Sequence, residues 1–214
     1  MGQSSFNNNV FINCPFDKYR IDAILKPILF CLMVHGLNPQ LALDVNDSGQ
    51  LRIDKIVNLM KNSKYSIHDL SLLKVANTKE FARMNMPYEL GIDYGLRLSG
   101  EGRFGEKRFL ILGFKRYDYM KAVSDLNGFD IQNHENKTRK VFDCMHSWLS
   151  SIDLDSKVLP SLKMFYDFLD FNAYTYFTIS QKYGEDVVKD HLDKISIPEY
   201  KKCIMAYLSL KEHS

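Results

Sequence analysis

The chain has 214 residues, 45% hydrophobic, 13% aromatic and 25% charged, enough apolar side chain for one substantial core. Twenty-eight basic residues against 26 acidic ones leave a formal charge of +2, too balanced to predict a nucleic-acid or anionic-membrane partner. The start MGQSSFNNN is polar and lacks the apolar segment of a secretory signal, and AILKPILFCLMVHGL is too short and too interrupted to span a bilayer. Four singly scattered cysteines read as reduced thiols, so a cytoplasmic protein is expected. The six histidines form no pair at metal spacing, and no metal site is expected.

In chain order, NVFINCPF (9–16) is a short apolar run closed by Pro15 and reads as a buried strand. YRIDAILKPILFCLMVHGL follows with helical spacing, Ile21, Ile24, Leu25, Ile28, Leu29 and Leu32 sharing a face. Pro27 should kink this helix or start its main body, and Gly36 should close it. LNPQLALDV is a second strand, QLRIDKIVNLMKNS an amphipathic helix with Ile53, Ile56, Val57 and Met60 inward, and YSIHDLS a third strand. A loop near 72–83 leads to MNMPYELGIDYG, which looks like a helix start with Asn85 as cap and Pro87 in the first turn. KRFLILGF is a fourth strand, DYMKAVSDLNGF a helix, DIQNH a short strand or turn, and TRKVFDCMHSWLSS a further helix.

This alternation predicts a parallel sheet of about five strands in flavodoxin-like order, with helices on both faces, over residues 1–152. Residues 153–214 show helical spacing only and are expected to add an α-helical extension. Within it Ser196 and Glu199 match a capping box for the last helix. The density of Phe and Tyr between Phe165 and Tyr183 exceeds what one helix face hides in a small appendage, which predicts a homo-oligomer interface.

GEGRFG (100–105) matches G-x-G-x-x-G in letters but leaves a helix and opens a strand, the reverse of a dinucleotide fingerprint, so its glycines read as helix-ending. In flavodoxin-like order the ligand crevice opens beyond the first and third strands. NCPFDKYR and HDLS end those strands, which brings Asn13, Pro15, Asp17, Lys18, Arg20, Asp69 and Ser71 to one edge. Asn85 and Glu89 reach it from the next helix start, where free N–H groups suit a phosphate. The competing reading of Glu89 is a first-turn acid favoured by the helix dipole. His68 alternates with Asp69 and reads as packed or partly exposed rather than catalytic; Arg52 and Lys55 lie on a polar helix face, where solvation is the default.

VFINCPFD, RIDKI, YSIHDLS, NMPYELGIDYG and KRFLILGF together resemble the TIR-like and nucleoside 2-deoxyribosyltransferase-like superfamily, over roughly 9–148. Asn-x-x-x-Glu-Leu-Gly (Asn85, Glu89, Leu90, Gly91) carries the resemblance most specifically. It implies that Glu89 is catalytic toward an N-glycosidic bond, that Asp69 helps hold sugar or base, and that Asp17 lies where relatives hold phosphate or ribose. Asn13, Pro15, Phe16, Arg20, Arg52, Ser71 and Asn85 complete the expected substrate-binding set. The loop before Glu89 offers Lys79, Glu80 and Arg83 but no second acid placed as in the transferases, a departure from their pattern. The resemblance thus implies an NAD glycohydrolase or cyclase, with NAD as substrate rather than cofactor, of the kind found in bacterial antiphage defence. A deoxyribosyltransferase or N-glycosidase, and a non-catalytic nucleotide sensor, are the alternatives.

Overall fold

The computed structural model describes residues 6–44, 49, 51–73, 84–152, 154 and 157–212. Lys79, Glu80 and Arg83 lie outside the described residues. Five parallel strands, β1 (Asn9–Asn13), β2 (Asn38–Gln40), β3 (Tyr65–Asp69), β4 (Arg108–Gly113) and β5 (Gln132–Asn133), form one sheet in the order β2-β1-β3-β4-β5. This is the flavodoxin-like order expected. β1 and β3 are buried along their whole length, as central strands covered on both faces should be.

Side-chain alternation sorts the two faces. Val10, Ile12, Tyr65, Ile67, Leu110 and Leu112 point to one side and share a core with α2 (Lys26–Val34) and α5 (Thr138–Leu149). Phe11 points to the other, against Ile56 and Met60 of α3 (Arg52–Lys61) and beside α4 (Asn85–Ser99). Within α3, Val57 is only half-buried and Ile53 is exposed, contrary to the inward position expected of both. Gly36 (φ 73°) and Gly100 (φ 63°) end α2 and α4 in the left-handed conformation that glycine adopts without cost.

Pro27 marks the start of the main helical body, the second of its two expected roles. A three-residue turn α1 (Lys18–Arg20) runs through a π turn (Ile21–Leu25) into α2, which Pro27 opens. Proline has no N–H to give, and the Ala23 carbonyl one turn back accepts instead from the Thr138 hydroxyl at 3.1 Å. The second strand is shorter than LNPQLALDV suggests. Asp44 turns back to accept the Leu41 N–H at 2.8 Å, which closes a 3-10 turn at Ala42–Asp44. DYMKAVSDLNGF is not an α-helix either; it forms 3-10 turns at Asp118–Lys121 and Ser124–Gly128, in keeping with its turn-forming Ser, Asp, Asn and Gly.

The extension is helical as expected: α6 (Ser161–Tyr183), α7 (Glu185–Lys194) and α8 (Ile197–Glu212). It adds a layer outside α2 and α5. Phe30 of α2 lies 5.5 Å from Phe168, 5.4 Å from Phe171 and 6.4 Å from Tyr207, centroid to centroid. Each such fully buried side chain contributes roughly 1.5–3 kcal/mol. The capping box of α8 is half formed. Ser196 Oγ accepts the Glu199 N–H at 3.3 Å, while the Glu199 carboxylate turns to His191 at 3.1 Å. Among the described residues no helix is long and apolar enough to cross a membrane.

Candidate active site

The strand order reverses between β1 and β3, so the chain leaves their carboxyl ends in opposite directions and a crevice opens there. Asn13 ends β1, and Cys14, Pro15 and Phe16 follow it to Asp17, the N-cap of α1, whose carboxylate accepts the Arg20 N–H at 3.1 Å. Asp69 ends β3. The expected edge residues are therefore brought together, and their bonding shows what each is committed to.

Asp69 is fully buried and has protein donors on both oxygens. Ser71 gives its N–H to Oδ1 at 2.9 Å and its hydroxyl to Oδ2 at 3.1 Å. His134, just past β5, gives Nε2–H to Oδ1 at 3.3 Å; its Nδ1 accepts the Asn136 N–H, which fixes the proton on Nε2. Arg20 then donates Nε–H to Ser71 Oγ at 3.2 Å and an Nη1–H to Asp17 at 2.9 Å. Asp69, Ser71, Arg20 and Asp17 thus form one continuous brace from β5 to α1. Lys18 is committed elsewhere, paired with Asp193 of α7 at 2.9 Å.

Glu89 differs from all of these. Met84, not Asn85, takes the N-cap position of α4, with no side chain capping it; Asn85 is the first helical residue and is exposed. Glu89 is therefore the fifth residue, in the second turn, beyond the reach of the first-turn dipole argument. Its side chain is turned inward and only 5% exposed, yet among the described residues it makes no hydrogen bond and no ion pair. Burial pushes its carboxyl up to about 7, and the Arg52 guanidinium at the start of α3 opposes that rise. Desolvation therefore governs this carboxyl, and the helix terminus, a full turn away, does not hold it ionised. Arg52 is exposed and has no hydrogen-bond partner among the described residues. The fields of Asp69, Glu89 and Asp17 all reach Cys14, and burial foremost, then these acids, hold its thiol well above the ordinary range. A thiol so protonated is no nucleophile.

Beneath Glu89 lies a second network. Parallel register sets Asn13 beside His68. The Asn13 amide donates to His68 Nδ1 at 3.1 Å and to the Met86 carbonyl of α4 at 3.0 Å. The carbonyl contact identifies the amide nitrogen, so Nδ1 accepts and His68 carries its proton on Nε2. That proton goes to Asp93 Oδ2 at 3.1 Å. The Lys107 ammonium forms an ion pair with Asp93 Oδ1 at 3.0 Å and donates to the Met60 and Ser63 carbonyls at 2.8 and 2.6 Å. His68 is packed, as its alternation with Asp69 suggests. Asp93, Lys107 and His134 carry no sequence signal: an acid on a helix, a lysine at a strand start and a histidine past a two-residue strand all read as surface.

Two clefts adjoin Lys18, and a third, about 10 Å³, lies beside Leu70, Ser71 and Gly113. The larger of the first two, about 560 Å³, is bordered by Tyr19 and Thr138; the other, about 410 Å³, lies between the π turn and Ile197. No protein-family model, no curated protein and no solved structure matches the chain.

Proposed function

We propose that the protein cleaves the N-glycosidic bond between nicotinamide and ribose in NAD, with Glu89 as the catalytic carboxylate. The observation that carries this reading is a buried carboxyl at the switch-point crevice with no hydrogen-bond or ion-pair partner among the described residues. A group in that condition favours a cationic reactant, because positive charge placed beside it restores the carboxylate that burial disfavours. The nicotinamide ring of NAD carries such a charge. As the C–N bond breaks, the charge moves to the ribose, and the Glu89 carboxylate stabilises the oxocarbenium ion or captures it covalently. Nicotinamide leaves as a neutral molecule and needs no proton. Water, or an acceptor within the same nucleotide, then takes the anomeric carbon and releases a proton.

Binding of the pyrophosphate falls to Arg52 and to the uncapped first turn of α4. Arg20 and Lys18, expected among the phosphate ligands, are already neutralised by Asp17 and Asp193. The resemblance to TIR-like enzymes supports the same reading, and with it a cytoplasmic role in defence against phage.

The raised carboxyl also favours a second reading. Near pH 7 Glu89 holds a proton part of the time and can pass it to a departing nucleobase, as a deoxyribosyltransferase or N-glycosidase requires. Mass spectrometry of products after incubation with NAD, and separately with deoxynucleosides, tests both. Nicotinamide with linear or cyclic ADP-ribose supports the proposal. Free base from deoxynucleosides alone replaces it with the second reading. Binding without turnover of either makes the protein a nucleotide sensor.

A further inference from the structure

α6 has two apolar faces, and the fold uses one. Met164, Phe168, Phe171 and Ile179 are buried against the rest of the protein. On the outer side Leu162, Leu169, Tyr176 and Tyr183 recur every seven residues, with Tyr166, Ala173 and Ser180 interleaved at the same period. The large members of this stripe are 45–55% exposed, and Phe177 beside it is 62% exposed. The spacing alternates four and three residues over more than five turns, without one charge. A single amphipathic face that only covers a core needs no such second stripe; a seam that meets another helix of the same period does.

We infer that this stripe is the interface of a two-fold homodimer, in which α6 of one copy lies antiparallel on α6 of a second, with Ala173 at the crossing point. The stripe complements itself in that arrangement. Tyr166 stands seven residues before Ala173 and Ser180 seven after, so Tyr166 of each copy covers the small Ser180 of the other. Leu169 and Phe177, four residues to either side, meet across the axis, and the two alanines let the backbones approach. A parallel pairing stacks Tyr166 on Tyr166 and leaves the two Ser180 facing a void, which interior packing density disfavours. Half-covered aromatic rings of this number, with two leucines, offer on the order of 500 Å² per copy and about 1,000 Å² in the pair, the size at which specific interfaces begin.

Sedimentation of the full chain tests the inference. A mass twice the 24.9 kDa of one chain is expected. The double variant Leu169→Glu/Phe177→Glu should sediment as a monomer that keeps the circular dichroism of the folded chain, since both side chains are exposed in the single copy. Ala173→Cys should form a disulfide-linked dimer under mild oxidation, whereas Leu162→Cys should not, its two copies lying about 33 Å apart along antiparallel helices. Wild type, whose Cys14, Cys31 and Cys144 are buried, is the background control. A wild-type monomer up to the solubility limit overturns the interface, as does a dimer that survives the double variant. Equal cross-linking through Leu162→Cys overturns the antiparallel arrangement.

Discussion

Glu89 and Asp93 stand one turn apart on the inner side of α4, and both are buried, at 5% and 0% exposure. Their chemistry is opposite. Burial acts to raise the Asp93 carboxyl, but the hydrogen bond from His68 and the charge of Lys107 outweigh it and hold that carboxyl below its ordinary value. Burial acts on Glu89 in the same direction with only distant Arg52 opposing, and the carboxyl rises to about 7. Depth in the protein is similar; supply of partners is not. The helix therefore carries a paired acid and, four residues earlier, an acid with no hydrogen-bond or ion-pair partner among the described residues.

The largest effect should come from breaking the paired side. Asp93→Asn leaves the Lys107 ammonium buried with no counter-charge, and should cost about 3–5 kcal/mol in urea denaturation. Adding Lys107→Met should recover most of that loss. A single-variant loss below about 1 kcal/mol would mean that Lys107 is buried without its charge. The pH dependence follows the same pairing: stability from Asp93 is present above its unfolded value and is lost as pH falls through its lowered folded value.

On the open side, Glu89→Gln should lower turnover of NAD by about 10²–10³, the loss of one electrostatic stabiliser of a developing charge. Unchanged turnover would return Glu89 to an ordinary helix acid. The same variant should not harm the fold. Glu89 binds its proton more tightly folded than unfolded, so its own contribution to stability is fully present below pH 4.5 and is lost as pH rises through about 7. The rise from 4.5 to about 7 corresponds to about 3 kcal/mol at most. Glu89→Gln should therefore stabilise the protein by up to that amount at pH 8 and by nothing at pH 4, read from thermal melts. Equal effects at both pH values would contradict this. Smallest is Arg52→Met, which removes the one charge that lowers Glu89 and should move its titration upward by less than about 1 kcal/mol. An unmoved titration would show that Arg52 does not reach the crevice.

The frame of this site was legible in the sequence, because strand periodicity and topology place Asn13, Asp17, Asp69, Ser71 and Glu89 without knowledge of any contact. The helix misread at DYMKAVSDLNGF has apolar residues at helical spacing but too many turn formers to hold an α-helix. The commitments of the polar groups were not legible. Nothing in a sequence distinguishes the buried Lys107 from a solvated lysine, or shows that Arg20 is spent on Asp17 and Ser71 while Arg52 has no hydrogen-bond partner among the described residues. Asp69 and Glu89 look alike as acids near strand ends. Only cross-strand register and the position of His134 show that one is braced and the other is open.

Carbon-detected NMR of the labelled glutamate side chains, with Glu89→Gln used to assign the signal, measures this difference most directly. The account predicts that the Glu89 carboxyl titrates with a midpoint at about 7 in the ligand-free protein. A midpoint near the ordinary 4.5 would contradict it, and would mean that Glu89 is solvated or paired rather than held open.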